Sequence, residues 1–183
     1  MANRREFFTT FLKPKSKGFL PFPPYNSNRF LFSKFCVQCI AESQDRQTPC
    51  VQVCKEIYNK ENKSGILKVT DNAVYIDFEK SGCKLCGECA RSCQKNVLEE
   101  QLAKIQNPHW NFIVKINELE CLAYQKTLCY TCKDICHSVL GKENAIVFAG
   151  LFYPEIQKNC IGCGECVGAC PTQAIILESY EDK

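Results

Sequence analysis

The sixteen cysteines of this 183-residue chain fall into four groups of four, with none left over. They are Cys36, Cys39, Cys50 and Cys54; Cys83, Cys86, Cys89 and Cys93; Cys121, Cys129, Cys132 and Cys136; and Cys160, Cys163, Cys166 and Cys170. The hydrophobic share of 45% includes them, and without them it drops to about 36%, thin for a core that must hold by apolar burial alone. Disulfides or metal have to supply the missing stabilisation.

Spacing decides between these. Every group ends in C-x3-C, and the second and fourth are full C-x2-C-x2-C-x3-C runs. The fourth, CIGCGECVGACP, also carries the proline of the bacterial iron–sulfur motif at Pro171. Three thiolates two residues apart let a loop fold over one cubane, and Gly87, Gly162 and Gly164 suit such loops because they tolerate positive φ. A fourth thiolate three residues on is carried away along a helix to a second cluster. The expected sets are therefore crossed. Cys36, Cys39, Cys50 and Cys93 share one cluster, and Cys83, Cys86, Cys89 and Cys54 its neighbour. Cys121, Cys129, Cys132 and Cys170 form the third, and Cys160, Cys163, Cys166 and Cys136 the fourth. The alternatives fit less well. Zinc sites use paired C-x2-C knuckles with a longer spacer, and C-x2-C-x2-C is too crowded for them. Disulfides call for an oxidising compartment, and no convincing secretory signal is present. His109 and His137 are read as neighbours or surface residues, with His137 next to Cys136 and able to tune a cluster.

Two groups depart from the regular run. The third displaces its first ligand, giving C-x7-C-x2-C-x3-C. The first opens its middle interval to x10, looping out IAESQDRQTP, with a labile or three-iron centre as the alternative to a full cubane there. Loops of this length are tolerated because closure entropy grows slowly with length. Between the runs, alternating apolar segments predict short strands at 66–69, 73–78, 110–116, 145–148, 151–156 and 174–177. The longest helix is expected near 89–105, ahead of Pro108. Trp110 and the phenylalanines read as core. The fold class is α+β, two bacterial-ferredoxin-like dicluster domains at 35–106 and 107–183, with a basic extended arm at 1–34.

The arm holds Arg4, Arg5, Lys13, Lys15, Lys17, Arg29 and Lys34 against one acid, Glu6. The formal charge of +3 does not signal nucleic-acid binding, because four clusters at about −2 each bring it to about −5. Arg4-Arg5 before Phe7-Phe8 looks like the start of a twin-arginine export signal. Lys13, Lys15 and Lys17 interrupt the apolar run, and no small-residue cleavage site follows, so a cytoplasmic location is expected. No span approaches the ~20 apolar residues of a membrane helix, so no stable membrane insertion is expected. No phosphate loop, hydrolase triad or flavin fingerprint is present, and no catalytic residue is assigned. The chain reads as an electron carrier.

The stretch CLAYQKTLCYTCKDIC, continuing through NAIVFAGLFYPEIQKNCIGCGECVGACPTQAI, resembles the ferredoxin-type accessory proteins of periplasmic nitrate reductases (NapF type). So do the early paired arginines and the two prolines ahead of the first cysteines. The resemblance covers nearly the whole chain and departs only at the x10 insertion. It implies a cytoplasmic iron–sulfur protein that acts on the precursor of the reductase's catalytic subunit before export, fed by an unidentified electron donor. One alternative is an iron–sulfur subunit of a respiratory quinol-to-reductase chain. A second is a zinc-dependent nucleic-acid-binding module using the basic arm.

Overall fold

Residues of one helical face set the geometry of both halves. In α2 (Pro49–Asn59), Cys50, Cys54 and Tyr58 are buried at four-residue intervals, which puts them in line on one side of the helix. Pro49 occupies the first turn, where its missing N–H costs nothing, and the Val51 and Gln52 amides close onto the Thr48 carbonyl. The structure, a computed structural model, describes residues 19–43, 45 and 47–180. Arg4, Arg5, Lys13, Lys15 and Lys17 lie outside them.

The first half opens with a π-helical turn (Phe32–Cys36) running into α1 (Val37–Glu42), then α2. An antiparallel hairpin follows, β1 (Leu67–Val69) on β2 (Val74–Ile76). After it come α3 (Glu88–Arg91) and α4 (Glu100–Lys104). The second half contains β3 (Phe112–Ile116), α5 (Thr131–Leu140), β4 (Ile146–Ala149), β5 (Phe152–Ile156), α6 (Glu165–Ala169) and β6 (Ile175–Ser179). Its first and last strands pair antiparallel, Phe112 opposite Ser179 through Ile116 opposite Ile175. The β4–β5 hairpin carries a bulge at Phe148/Ala149. Each of the six segments expected as strands holds a strand, offset by no more than two residues.

The helix expected near 89–105 is two short helices instead. Asn96 turns with φ +52°, and the Leu98 amide donates to Cys93 Sγ at 3.3 Å, so the chain bends to keep that sulfur inward. The longest described helices are α2 and α5, which carry the closing cysteine pairs of the two irregular groups.

Part of the expected arm is packed, chiefly residues 19–26 and Phe32. Phe22 stacks on Phe32 with ring centroids 4.4 Å apart, and Tyr25 is buried with its hydroxyl donating to the Leu85 carbonyl at 2.8 Å. The Ile76 amide donates to Pro21 O, and the buried Asn111 holds the segment to the second half. Its Oδ1 accepts from the Phe22 amide, and its Nδ2 donates to Leu20 O. Aromatic burial explains the difference: charge marks this stretch as an arm, but Phe22, Tyr25 and Phe32 supply core to a first half short of apolar residues.

A candidate iron–sulfur site built from four thiol sets

Cys36, Cys39, Cys50 and Cys93 line one hollow, closed by Phe35, Val74 and Val97. Cys54, Cys83, Cys86 and Cys89 line a second, closed by Tyr25, Tyr58, Ile66 and Ile76. In each, three thiols come from one run and one from the other. In the second half, Cys132 lies within electrostatic reach of Cys121, Cys170 and Cys129, and Cys166 within reach of Cys163, Cys160, Cys132 and Cys136.

Local geometry explains the exchange between runs. In α2 and α5 the closing cysteines are four residues apart within one helix, a rise of about 6 Å, so Cys50 and Cys54 point to different hollows. Cys132 and Cys136 repeat the arrangement on α5. In the two regular runs the helix holds only the third cysteine. The α3 helix ends at Arg91 before Cys93, and α6 at Ala169 before Cys170, so the fourth thiol is delivered by the turn after the helix. The expectation that this fourth cysteine itself lies in a helix holds for the irregular groups alone.

The two regular loops share a backbone path. Gly87 and Gly164, each one residue before a Glu-Cys pair, both sit at φ +77°. At the preceding left-handed position one run has Gly162 (φ +69°) and the other Leu85 (φ +52°). A leucine costs about 1–2 kcal/mol there. Its side chain packs on the core, and its carbonyl accepts the Tyr25 hydroxyl. The seven-residue gap after Cys121 is a small closed loop: the Gln125 amide donates to Cys121 O and the Thr127 amide to Leu122 O. Tyr124 stands edge-on to Tyr153 at 5.4 Å, with the Lys126 ammonium 3.9 Å from the Tyr153 ring centre. The loop thus returns Cys121 to its set.

Burial dominates the electrostatics. It pushes the Cys36, Cys83 and Cys132 thiols up to about 12 and Cys50 to about 11, with neighbouring cysteines adding to the shift. Cys89 and Cys166 are likewise raised well above the ordinary thiol value by burial. Backbone amides meanwhile aim at sulfur: Leu85 N–H at Cys83, Leu98 N–H at Cys93 and Ala174 N–H at Cys170, all within 3.4 Å. Metal would take the place of the thiol protons, and the N–H donors then stabilise the thiolates. Among the described residues no three His, Cys, Asp or Glu side chains converge as a single-ion site requires. In the first half the thiols surround hollows, which suits a polynuclear centre. His109 pairs with Asn107 at the surface, and His137 is exposed on α5.

Comparison with known proteins bears on the same residues. The 4Fe-4S binding domain family matches residues 153–176, which contain Cys160, Cys163, Cys166 and Cys170. Ferredoxin-type protein NapF of Escherichia coli K12 is 26% identical over 182 residues, covering 97% of this chain and 94% of that protein. The chain is thus similar to NapF-type ferredoxins over nearly its whole length. NapF of Haemophilus influenzae is 27% identical, covering 70% of this chain and 87% of the relative. Ferredoxin-type protein NapG of E. coli K12 is 25% identical over 81% of this chain and 64% of the relative. No solved structure matches. The matched domain and the sixteen cysteines support iron–sulfur clusters, and the ferredoxin-type relatives support an electron-transfer role. None of the helices among the described residues is long and apolar enough to cross a membrane.

Sequence reasoning missed the residues that join the two halves. The Cys83 amide donates to Cys163 O at 2.6 Å, and within the first half Tyr58 supports this point by donating its hydroxyl to Gly82 O. Phe78 of the first half stands edge-on to both Trp110 and Phe112 of the second, where Trp110 is itself fixed by donating to Ile161 O at 2.8 Å. Gly164 and Gly168 lie against Phe78. Contacts between residues eighty apart leave no local pattern; Gly82 directly before Cys83 was the one available hint.

Proposed function

We propose that this chain is a cytoplasmic carrier of four [4Fe–4S] clusters that assists maturation of the catalytic subunit of a periplasmic nitrate reductase before that subunit is exported. The observation that carries the cluster assignment is that Cys36, Cys39, Cys50 and Cys93 line one hollow and Cys54, Cys83, Cys86 and Cys89 a second, each with three thiols from one run and one from the other. The two halves, 35–106 and 107–183, would then each be a dicluster unit. In the first, Cys36, Cys39, Cys50 and Cys93 hold one cluster, and Cys54, Cys83, Cys86 and Cys89 the other. In the second, the sets are Cys121, Cys129, Cys132 and Cys170, and Cys136, Cys160, Cys163 and Cys166. All four thiols of the irregular first set line one hollow, which supports a full four-iron centre there.

Each bound cubane supplies one-electron redox chemistry. The chain's own part is to hold and screen it. The thiols bind, and the Leu85, Leu98 and Ala174 amides donate to sulfur. Buried Ile66, Ile76 and Val97 keep water from the first two sets. Such a carrier acts through a partner, and likeness to NapF over nearly the whole chain supports the nitrate reductase precursor.

Anaerobic reconstitution should give about sixteen iron and sixteen sulfide per chain. Tightly bound zinc without iron overturns the cluster reading. Co-purification with the catalytic subunit, trapped before export, tests the partner. Loss of that association, or nitrate reductase activity unchanged when the protein is deleted, refutes the maturation role.

A further inference from the structure

We infer that the Cys83–Cys163 backbone contact is the electron crossing between the two halves, and that the four thiol sets form a single unbranched series through it. The inference rests on the four-cluster reading above. Three junctions fix the order. The α2 helix carries Cys50 of the first set and Cys54 of the second one turn apart, so these two are adjacent. The α5 helix does the same for the other half with Cys132 and Cys136. Between the halves, the Cys83 amide donates directly to the Cys163 carbonyl, joining a residue of the Cys83 set to one of the Cys160 set. The series runs Cys36 set, Cys83 set, Cys160 set, Cys121 set.

The seam around this contact is built for close approach. A Cβ added at Gly82 would stand 2.5 Å from the Glu165 amide nitrogen and 2.6 Å from Cys163 O. At Gly168 it would lie 2.8 Å from Phe78 O. Glycine at these positions lets the two ligand loops touch backbone to backbone. Tyr58, buried and also lining the Cys83 hollow, fixes Gly82 O from the other side. With clusters bound, the Cys83 set would hold the one-electron donor and the Cys160 set the one-electron acceptor on either side of this contact. No bond forms or breaks, and no proton moves. A one-electron reductant protein loads one terminal set, and a one-electron acceptor protein empties the other.

The test compares two multiple variants of the full chain, reduced fully with dithionite and read by electron paramagnetic resonance. Cys36→Ala, Cys39→Ala, Cys121→Ala and Cys129→Ala together leave only the two inner sets, with about eight iron. Their spectrum is expected to show spin–spin coupling between one centre in each half. Cys83→Ala, Cys86→Ala, Cys160→Ala and Cys163→Ala together leave only the terminal sets, and two uncoupled signals are expected. Coupling in the second variant, or its absence in the first, overturns the series. Gly82→Ala should keep about sixteen iron yet weaken the inner coupling; unchanged coupling removes Gly82 and its seam from the crossing. If the multiple variants do not load iron, the anaerobic crystal structure of the wild-type holoprotein decides. The closest pair of clusters between halves must then be held by Cys83 and Cys163, and any other pair refutes the proposal. Iron content of the wild type reports separately on the four-cluster reading.

Discussion

Replacing Gly164 by alanine measures how much the seam between halves depends on close packing. Gly164 sits at φ +77°, and a Cβ there would enter the ring of Phe78, which is itself buried against Trp110 and Phe112. Two costs add. The left-handed backbone costs a non-glycine residue about 1–2 kcal/mol. Forcing a methyl into a filled site costs about 1–3 kcal/mol more. Gly150 supplies the control: its φ is +71°, and an added Cβ meets nothing within 4 Å. Gly150→Ala therefore carries the backbone cost alone, and both variants share the gain of about 0.4–1 kcal/mol from a stiffer unfolded chain. The difference between them isolates the Phe78 clash at about 1–3 kcal/mol. For a chain of this length that is roughly 2–12 °C in melting temperature. The assay is anaerobic thermal unfolding of the loaded protein, followed by visible absorption of the clusters. Equal shifts for the two variants would refute the packing argument, because the Phe78 ring would then be able to yield.

Tyr58→Phe keeps the ring that Lys84 covers at 5.0 Å but removes the donor to Gly82 O, a buried carbonyl. A loss of about 1–3 kcal/mol is expected in denaturant unfolding, and no loss would mean that carbonyl finds another donor. Crossing of the runs has a stoichiometric signature. Cys36→Ala with Cys93→Ala should remove one cluster and leave about twelve iron, whereas Cys83→Ala with Cys93→Ala should remove two and leave about eight. Equal iron in both pairs would show the sets wrongly drawn. Glu99→Ala should release the stretch around Ser27, since Glu99 Oε1 accepts from both the Ser27 amide at 2.8 Å and its hydroxyl at 2.5 Å. Those bonds hold the Glu99 carboxyl below the usual carboxylate range, so its contribution is present at neutral pH and is lost as pH falls through the lowered value. The exposed position limits it to about 1 kcal/mol or less, read as faster amide exchange over 25–32.

Much of the fold was legible in the cysteine spacing because the constraint is local. A C-x3-C pair on a helix separates its sulfurs by one turn, whatever surrounds it, and alternating apolar residues mark a half-buried strand. Alternation marks the strands but not their partners, so the pairing of Phe112–Ile116 with Ile175–Ser179 came from the tertiary structure. Charge misled at residues 19–34: it registers how a stretch is hydrated, and Phe22, Tyr25 and Asn26 had no visible partner until Asn111, Leu85 and Val97 were brought near. The break in the helix after Arg91 was hidden too, since Asn96 and Leu98 are bent by a sulfur-directed hydrogen bond that propensity does not record. Tertiary structure alone decided where the two halves meet. Nothing near Cys83 in sequence specifies Cys163, eighty residues away. Their contact exists because Gly82, Gly164 and Gly168 leave room for Phe78 and for two backbones to approach, and complementary shape of that kind has no period along a chain.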